Sequence, residues 1–195
     1  MVLNNIDCFL ESGKVYKLSG VNGSGKTMLL RAISGLIYPD SGNLKVNDAD
    51  VQPDVPYPAE LGVLIENPCF WKDYSGFEIL KYLASIKNEI SDEEIKNSMR
   101  RMKLDPNDKR KVGKYSLGMR QKLGIIQAIM ERPDIILLDE PLNALDSEGV
   151  EALKNVIYEE KERGALIILS LHNDGALSIE YDGEIKMEEG KLSED

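Results

Sequence analysis

Eight residues, Gly20-Val21-Asn22-Gly23-Ser24-Gly25-Lys26-Thr27, bring three glycines, a lysine and a hydroxyl into the spacing G-x-x-x-x-G-K-[ST] of a P-loop. Glycine has no Cβ, so the backbone N–H groups of such a loop can curl around phosphate oxygens. Lys26 can then reach the β- and γ-phosphates of a nucleotide, and the Thr27 hydroxyl can take a place on Mg²⁺. The nucleotide contacts expected from this run are Asn22, Gly23, Ser24, Gly25, Lys26, Thr27 and Met28. A glycine-rich turn that binds nothing would share the composition but not the flanks. Val15-Tyr16-Lys17-Leu18 reads as a strand entering the loop, and Met28 to Ile33 is apolar at helical spacing on leaving it. A helix beginning there adds unpaired N–H groups and a positive dipole end.

Two carboxylates form the second group. Ile135-Ile136-Leu137-Leu138 reads as a buried strand, and it ends in Asp139-Glu140. In a parallel sheet the ligand sits at the carboxyl ends of the strands, which puts Asp139 beside the P-loop. Asp139 would hold Mg²⁺ directly or through water, while Glu140 polarises the attacking water as general base. Alone, Asp-Glu before Pro141 could merely be a strand end turning into a loop. Beside a P-loop it reads as chemistry.

The elements that must position these groups follow from periodicity and caps. Ile6 to Leu10 and Val15 to Ser19 read as short strands joined by Glu11-Ser12-Gly13, and Asn43 to Val46 as another after the turn Pro39-Asp40-Ser41-Gly42. Leu61 to Ile65 is a compact apolar run of the buried-strand kind. Ser75 to Lys87 then turns helical, Ser91-Asp92-Glu93-Glu94 is a capping box for a second helix, and Ser116 would N-cap a third over Leu117 to Met130. Residues 67–131 thus read as a helical insertion between strands. A helix from Ser147 to Arg163, a buried strand over Ala165 to Ser170, and a hairpin of Glu184 to Met187 with Lys191-Leu192 complete the chain. The expected fold is α/β: a P-loop NTPase core with a mostly parallel sheet, a small antiparallel β subdomain and an inserted α-helical subdomain. The expected division is one domain, with 1–66 and 132–195 as core and 67–131 as the helical part.

Bulk properties narrow the class. A chain of 195 residues with 42% hydrophobic and 30% charged residues suits one globular domain. The longest uncharged apolar stretch, Gly164 to Leu171, is too short to cross a bilayer, and the N-terminus lacks the basic flank of a secretory signal. Cys8 and Cys69 lie far apart with no C-x-x-C pattern, as expected of reduced thiols. The chain reads as soluble and intracellular. A net charge of −10 gives it no general reason to coat nucleic acid.

Residues 135–146, Ile-Ile-Leu-Leu-Asp-Glu-Pro-Leu-Asn-Ala-Leu-Asp, resemble the Walker B motif and D-loop of the ATP-binding cassette (ABC) ATPases. Tyr115-Ser116-Leu117-Gly118-Met119-Arg120-Gln121-Lys122 is similar to their signature, usually L-S-G-G-Q followed by R-Q-R. Ser116 and Gly118 match, whereas Leu117 and Met119 replace the first glycine and the glutamine. His172, the chain's one histidine, stands where the family places its switch histidine. The motifs run in family order from Gly20 to Leu192. The resemblance implies ATP and Mg²⁺ as ligands, with Glu140 and His172 catalytic and His172 orienting the γ-phosphate and water. It implies metal contacts from Thr27, Glu66 and Asp139, Glu66 standing where most relatives have the Q-loop glutamine. It also implies that Ser116, Gly118 and Asp146 face nucleotide across a head-to-tail pair, because one P-loop and one signature per chain make two shared sites.

Gly62-Val63-Leu64-Ile65-Glu66-Asn67-Pro68, Ser75-Gly76-Phe77-Glu78 and the altered signature look like the bacitracin and lantibiotic exporter branch. That resemblance implies the ATP-hydrolysing subunit of an exporter, a second nucleotide-binding subunit, a separate integral membrane permease, and a place on the cytoplasmic side of the membrane. Cys69, Phe70, Trp71 and Tyr74, beside the Q-loop position, are candidates for the permease interface. The aromatic that stacks on adenine in many relatives would fall before Met1, leaving Phe9 and Tyr16 as nearby candidates, and no C-terminal regulatory extension is expected. A soluble, non-transport ABC ATPase, for example in iron–sulfur assembly, is the alternative.

Overall fold

The computed structural model describes residues 2–172, 175 and 177–193. A six-stranded sheet runs in the order β4-β5-β6-β1-β7-β8, formed by β1 (Val15–Ser19), β4 (Leu61–Leu64), β5 (Ile135–Asp139), β6 (Leu166–Ser170), β7 (Gly183–Glu188) and β8 (Lys191–Leu192). All neighbours pair in parallel except β8, which turns back on β7. A separate two-stranded ribbon, β2 (Lys45–Val46) with β3 (Ala49–Asp50), is antiparallel.

Side-chain alternation explains the unbroken apolar strands. Ile135, Leu137, Leu166, Ile168, Tyr16 and Leu18 face one cluster with Leu29, Leu30 and Ile33 of α1 (Lys26–Ile33). Ile136, Leu138, Ile167 and Leu169 face the opposite cluster. Helices therefore cover both faces, as a parallel sheet requires. On the second face lie α4 (Leu117–Ile129) and α5 (Ser147–Glu162), with α2 (Gly76–Ala84) and α3 (Asp92–Arg101) packed further along the same cluster. Ser75 and Ser91 each make both halves of a capping box, and Ser116 accepts the Met119 N–H, so the three expected helix starts form.

One expectation is corrected. Ile6 to Leu10 forms no strand. Ile6 and Leu10 still pack against the α1-side cluster, but no neighbouring strand completes a hydrogen-bond ladder for the segment. Helix α5 begins at Ser147 as expected, with Asp146 as its cap, the Asp146 side chain accepting the Gly149 N–H at 2.9 Å. Lys17, an unexpected charge in β1, runs out to Glu184, with Nζ 3.7 Å from its carboxylate and 5.9 Å from the Tyr181 ring centroid. No helix among the described residues is long and apolar enough to cross a membrane.

Candidate nucleotide site

Strand register puts the chemistry in one place. Leu18 of β1 and Asp139 of β5 both pair with Ser170 of β6, so three parallel strands finish level with one another. The P-loop leaves β1, Glu140 follows β5 and His172 follows β6. Together with Val2 they line a cavity of about 420 Å³ with Asn22, Gly23, Gly25, Lys26, Thr27, Met28 and Asp139. Nine of the expected site residues therefore meet at the carboxyl ends of the strands.

The loop's shape depends on its glycines. Gly20, Gly23 and Gly25 all have positive φ, at 143°, 80° and 109°. A Cβ on Gly20 would lie 2.3 Å from the Met187 carbonyl oxygen, so this position has no room as well as the wrong backbone for another residue. Gly25 precedes α1 without a side-chain cap, and the first turn carries no acidic residue. Its N–H groups and dipole are thereby available to an anion. Lys26, only 6% exposed, donates from Nζ to the carbonyls of Gly20 (2.7 Å) and Val21 (3.2 Å). The buried Ser24 hydroxyl has no hydrogen-bond partner among the described residues. An uncapped helix start, a buried ammonium and an unsatisfied hydroxyl are the groups a polyphosphate would satisfy, and the loop fits one.

Thr27 Oγ1 donates to Asp139 Oδ2 at 2.7 Å, linking α1 to the end of β5. Two hard oxygen ligands side by side suit Mg²⁺, which takes few protein ligands and fills its shell with water and phosphate. No group of three or more His, Cys, Asp or Glu side chains able to hold a metal occurs among the described residues.

Glu140 has left-handed backbone, φ 49°, and its N–H donates to Ser170 O at 2.9 Å. This aims the side chain towards His172, whose Nε2 lies 3.0 Å from Glu140 Oε1. The approach lacks hydrogen-bond alignment, so that buried oxygen remains without a hydrogen-bond partner among the described residues. Burial is the chief reason that the Glu140 pKa is raised. His172 and Lys26 act against the rise, and the Asp139 carboxylate adds to it. A half-buried carboxylate with a raised pKa, open to a cavity, is suited to taking a proton.

The remaining expected residues lie elsewhere. Glu66, with φ 61°, gives its carboxylate to Arg31 Nη2 at 2.6 Å and does not line the cavity. Ser116 is exposed at the start of α4, and Gly118 lies where a Cβ would come 2.5 Å from Ala144 O. Asp146 pairs with Lys122 Nζ at 3.0 Å, and this bond, with the Gly149 N–H, lowers its pKa. Of the two aromatic candidates for adenine stacking, Tyr16 is excluded by burial in the core, and the exposed Phe9 does not line the cavity. Trp71 and Tyr74 are each 52% exposed, Cys69 is exposed, and Phe70 is partly buried against the core. Trp71 stacks edge-on with Tyr74 and Tyr82, at 6.3 and 5.0 Å between centroids.

Sequence reasoning passed over three side chains. Arg31 carries the pair with Glu66. Gln121 and Lys122 hold the loop after β5, and both are buried polar residues in a helix whose inner face is otherwise mostly apolar. A polar residue on that stripe was the available signal.

A P-loop, a Thr–Asp pair and a half-buried glutamate at the strand ends define a nucleoside triphosphatase site. Residues 3–143 match the family described as ABC transporter. The uncharacterized ABC transporter ATP-binding protein YybJ of Bacillus subtilis (strain 168) is 44% identical, over 98% of this chain and 88% of its own. The lantibiotic transport ATP-binding protein SrtF of Streptococcus pyogenes is 33% identical over 88% and 73%, and the bacitracin transport ATP-binding protein BcrA of Enterococcus faecalis 31% over 100% and 64%. This chain thus spans less than two thirds of BcrA. A solved structure described as the ATP-binding subunit of an ABC transporter superimposes with a TM-score of 0.86 at 26% identity, covering 98% of this chain and 81% of that one. The chain belongs to the ABC transporter family and is one of its ATPase cassettes.

Proposed function

We propose that this chain is the ATP-hydrolysing subunit of a membrane exporter, driving a separate permease from the cytoplasmic side as one half of a head-to-tail pair. The observation that carries the reading is the convergence of Lys26, Thr27, Asp139, Glu140 and His172 on one cavity. Export is favoured by the likeness to bacitracin and lantibiotic transport proteins.

In this reading the P-loop N–H groups and Lys26 bind the β- and γ-phosphates. Glu140 takes a proton from water as the water oxygen bonds to the γ-phosphorus, the bond to the bridging oxygen breaks, and ADP and phosphate leave. His172 orients the γ-phosphate and the water, 3.0 Å from the base. Thr27 and Asp139, with Glu66 if it is freed from Arg31, would hold Mg²⁺, which would supply a Lewis acid for the phosphate charge.

Residues 67–131 act as a subdomain carrying Ser116 and Gly118 towards the nucleotide of the opposed copy, with Asp146 beside them. The exposed Cys69, Trp71 and Tyr74 form part of the permease contact, with Phe70 behind them, and the net charge of −10 favours basic cytoplasmic loops over nucleic acid.

Glu140→Gln is expected to keep ATP affinity within a few-fold while turnover falls by about 10²–10⁴. Steady-state hydrolysis beside nucleotide titration checks this, and undiminished turnover contradicts the assignment. Affinity purification from membranes is expected to bring down an integral membrane protein. Recovery of soluble partners alone favours a non-transport ATPase.

A further inference from the structure

We propose that Gln121 is a positioning residue for Glu140, an inference that rests on Glu140 being the base. Gln121 is 4% exposed, one turn into α4. A buried amide is costly unless hydrogen-bonded, and an aliphatic side chain would fill the space without that cost. Its Nε2 donates to the backbone carbonyls of Glu140 (3.2 Å) and Pro141 (3.3 Å). Gln121 itself does not line the cavity. It touches the backbone of the base and nothing that reacts.

The loop requires such a hold. Glu140 and Ala144 both have left-handed backbone, at φ 49° and 61°, a region that costs a residue with a Cβ and persists only where the surroundings enforce it. On the sheet side the Glu140 N–H is fixed by Ser170 O, and Pro141 has no N–H to offer. On the helix side, Gln121 fixes the two carbonyls. The peptides on either side of Glu140 are thereby both held, the one before it from the sheet and the one after it from the helix, and with them the Cα–Cβ vector that aims the carboxylate at the cavity. The same helix supports the rest of the loop. Gly118 admits the Ala144 carbonyl where a Cβ would come to 2.5 Å, and Lys122 holds Asp146 at 3.0 Å. A base must stay within about 0.5 Å of its productive place, and a misplacement of about 1 Å costs roughly 10²-fold. Gln121 provides that restraint from outside the site.

Gln121→Met keeps length and helix propensity and removes both donors. Measured with ATP on the whole protein, kcat is expected to fall about 10- to 100-fold, with KM and nucleotide affinity within twofold and a cooperative melt retained. In a Glu140→Gln background, where no base remains to be aimed, the same change should lower residual turnover less than twofold. A kcat within twofold of the parent overturns the proposal, as does an equal loss in both backgrounds. If Gln121→Met does not fold, Gln121→Asn, one methylene too short to reach both carbonyls, is judged by the same outcomes. A silent Gln121→Met beside an inactive Glu140→Gln overturns this inference alone. A fully active Glu140→Gln overturns the assignment of the base.

Discussion

Glu140 carries two requirements that oppose each other. Burial strengthens its interaction with a reacting water but also raises its pKa, so the basic form is harder to keep. Turnover is therefore expected to decline on the acid side at a higher pH than an exposed glutamate would impose, measured as kcat against pH at saturating ATP. The same shift bears on stability. A carboxyl that binds its proton more tightly folded than unfolded favours the fold at low pH, and that contribution is lost as pH rises through the raised pKa. Glu140→Gln should therefore melt at a higher temperature than the parent at pH 8 without nucleotide, the gap closing as pH falls. A gap that instead widens towards acid contradicts the raised pKa. At this scale the cavity-lining residues were legible, because glycine spacing, the lysine and the terminal carboxylates have few other uses together. Arg31 and Gln121 were not, since their partners, Glu66 and the Glu140 carbonyl, lie across the fold and leave no spacing to read.

Helices α2 and α3 show how far local signals reach. Ser75 with Glu78 and Ser91 with Glu94 begin their helices where the cap and its glutamate say they should. Ile6 to Leu10 had the composition of a strand but depended on a neighbour, and pairing is a non-local matter. Gly62 shows a tertiary demand hidden inside an apolar strand. Its φ is unremarkable, yet a Cβ there would come 1.8 Å from Ala128 O, where β4 meets α4. Gly62→Ala should destabilise by about 1–3 kcal/mol through overpacking, seen as a lower Tm by roughly 2–4 °C for each kcal/mol. An unchanged Tm would mean that α4 does not sit so closely on the strand. Gln121 lies on the same helix, and Ser116 caps its start.

Over the whole molecule, the order β4-β5-β6-β1-β7-β8 places the P-loop and the two carboxylates around β6. Strand periodicity implied a parallel sheet; the resemblance, and not periodicity, implied which P-loop fold it was. The inserted helices are tied back by charge: Arg101 of α3 pairs with Glu159 and the buried Glu160 of α5, and Arg163 closes on the same Glu160. Ser116 is exposed at a helix start and does not line its own P-loop cavity, in keeping with the proposal that it completes the site of another copy. That central claim is tested most directly by light scattering of Glu140→Gln after gel filtration with ATP and Mg²⁺. The expected mass is twice the 21.8 kDa of the monomer, returning to the monomer when Ser116→Glu is added. A monomer at every concentration with ATP bound, or a dimer indifferent to Ser116, would contradict it.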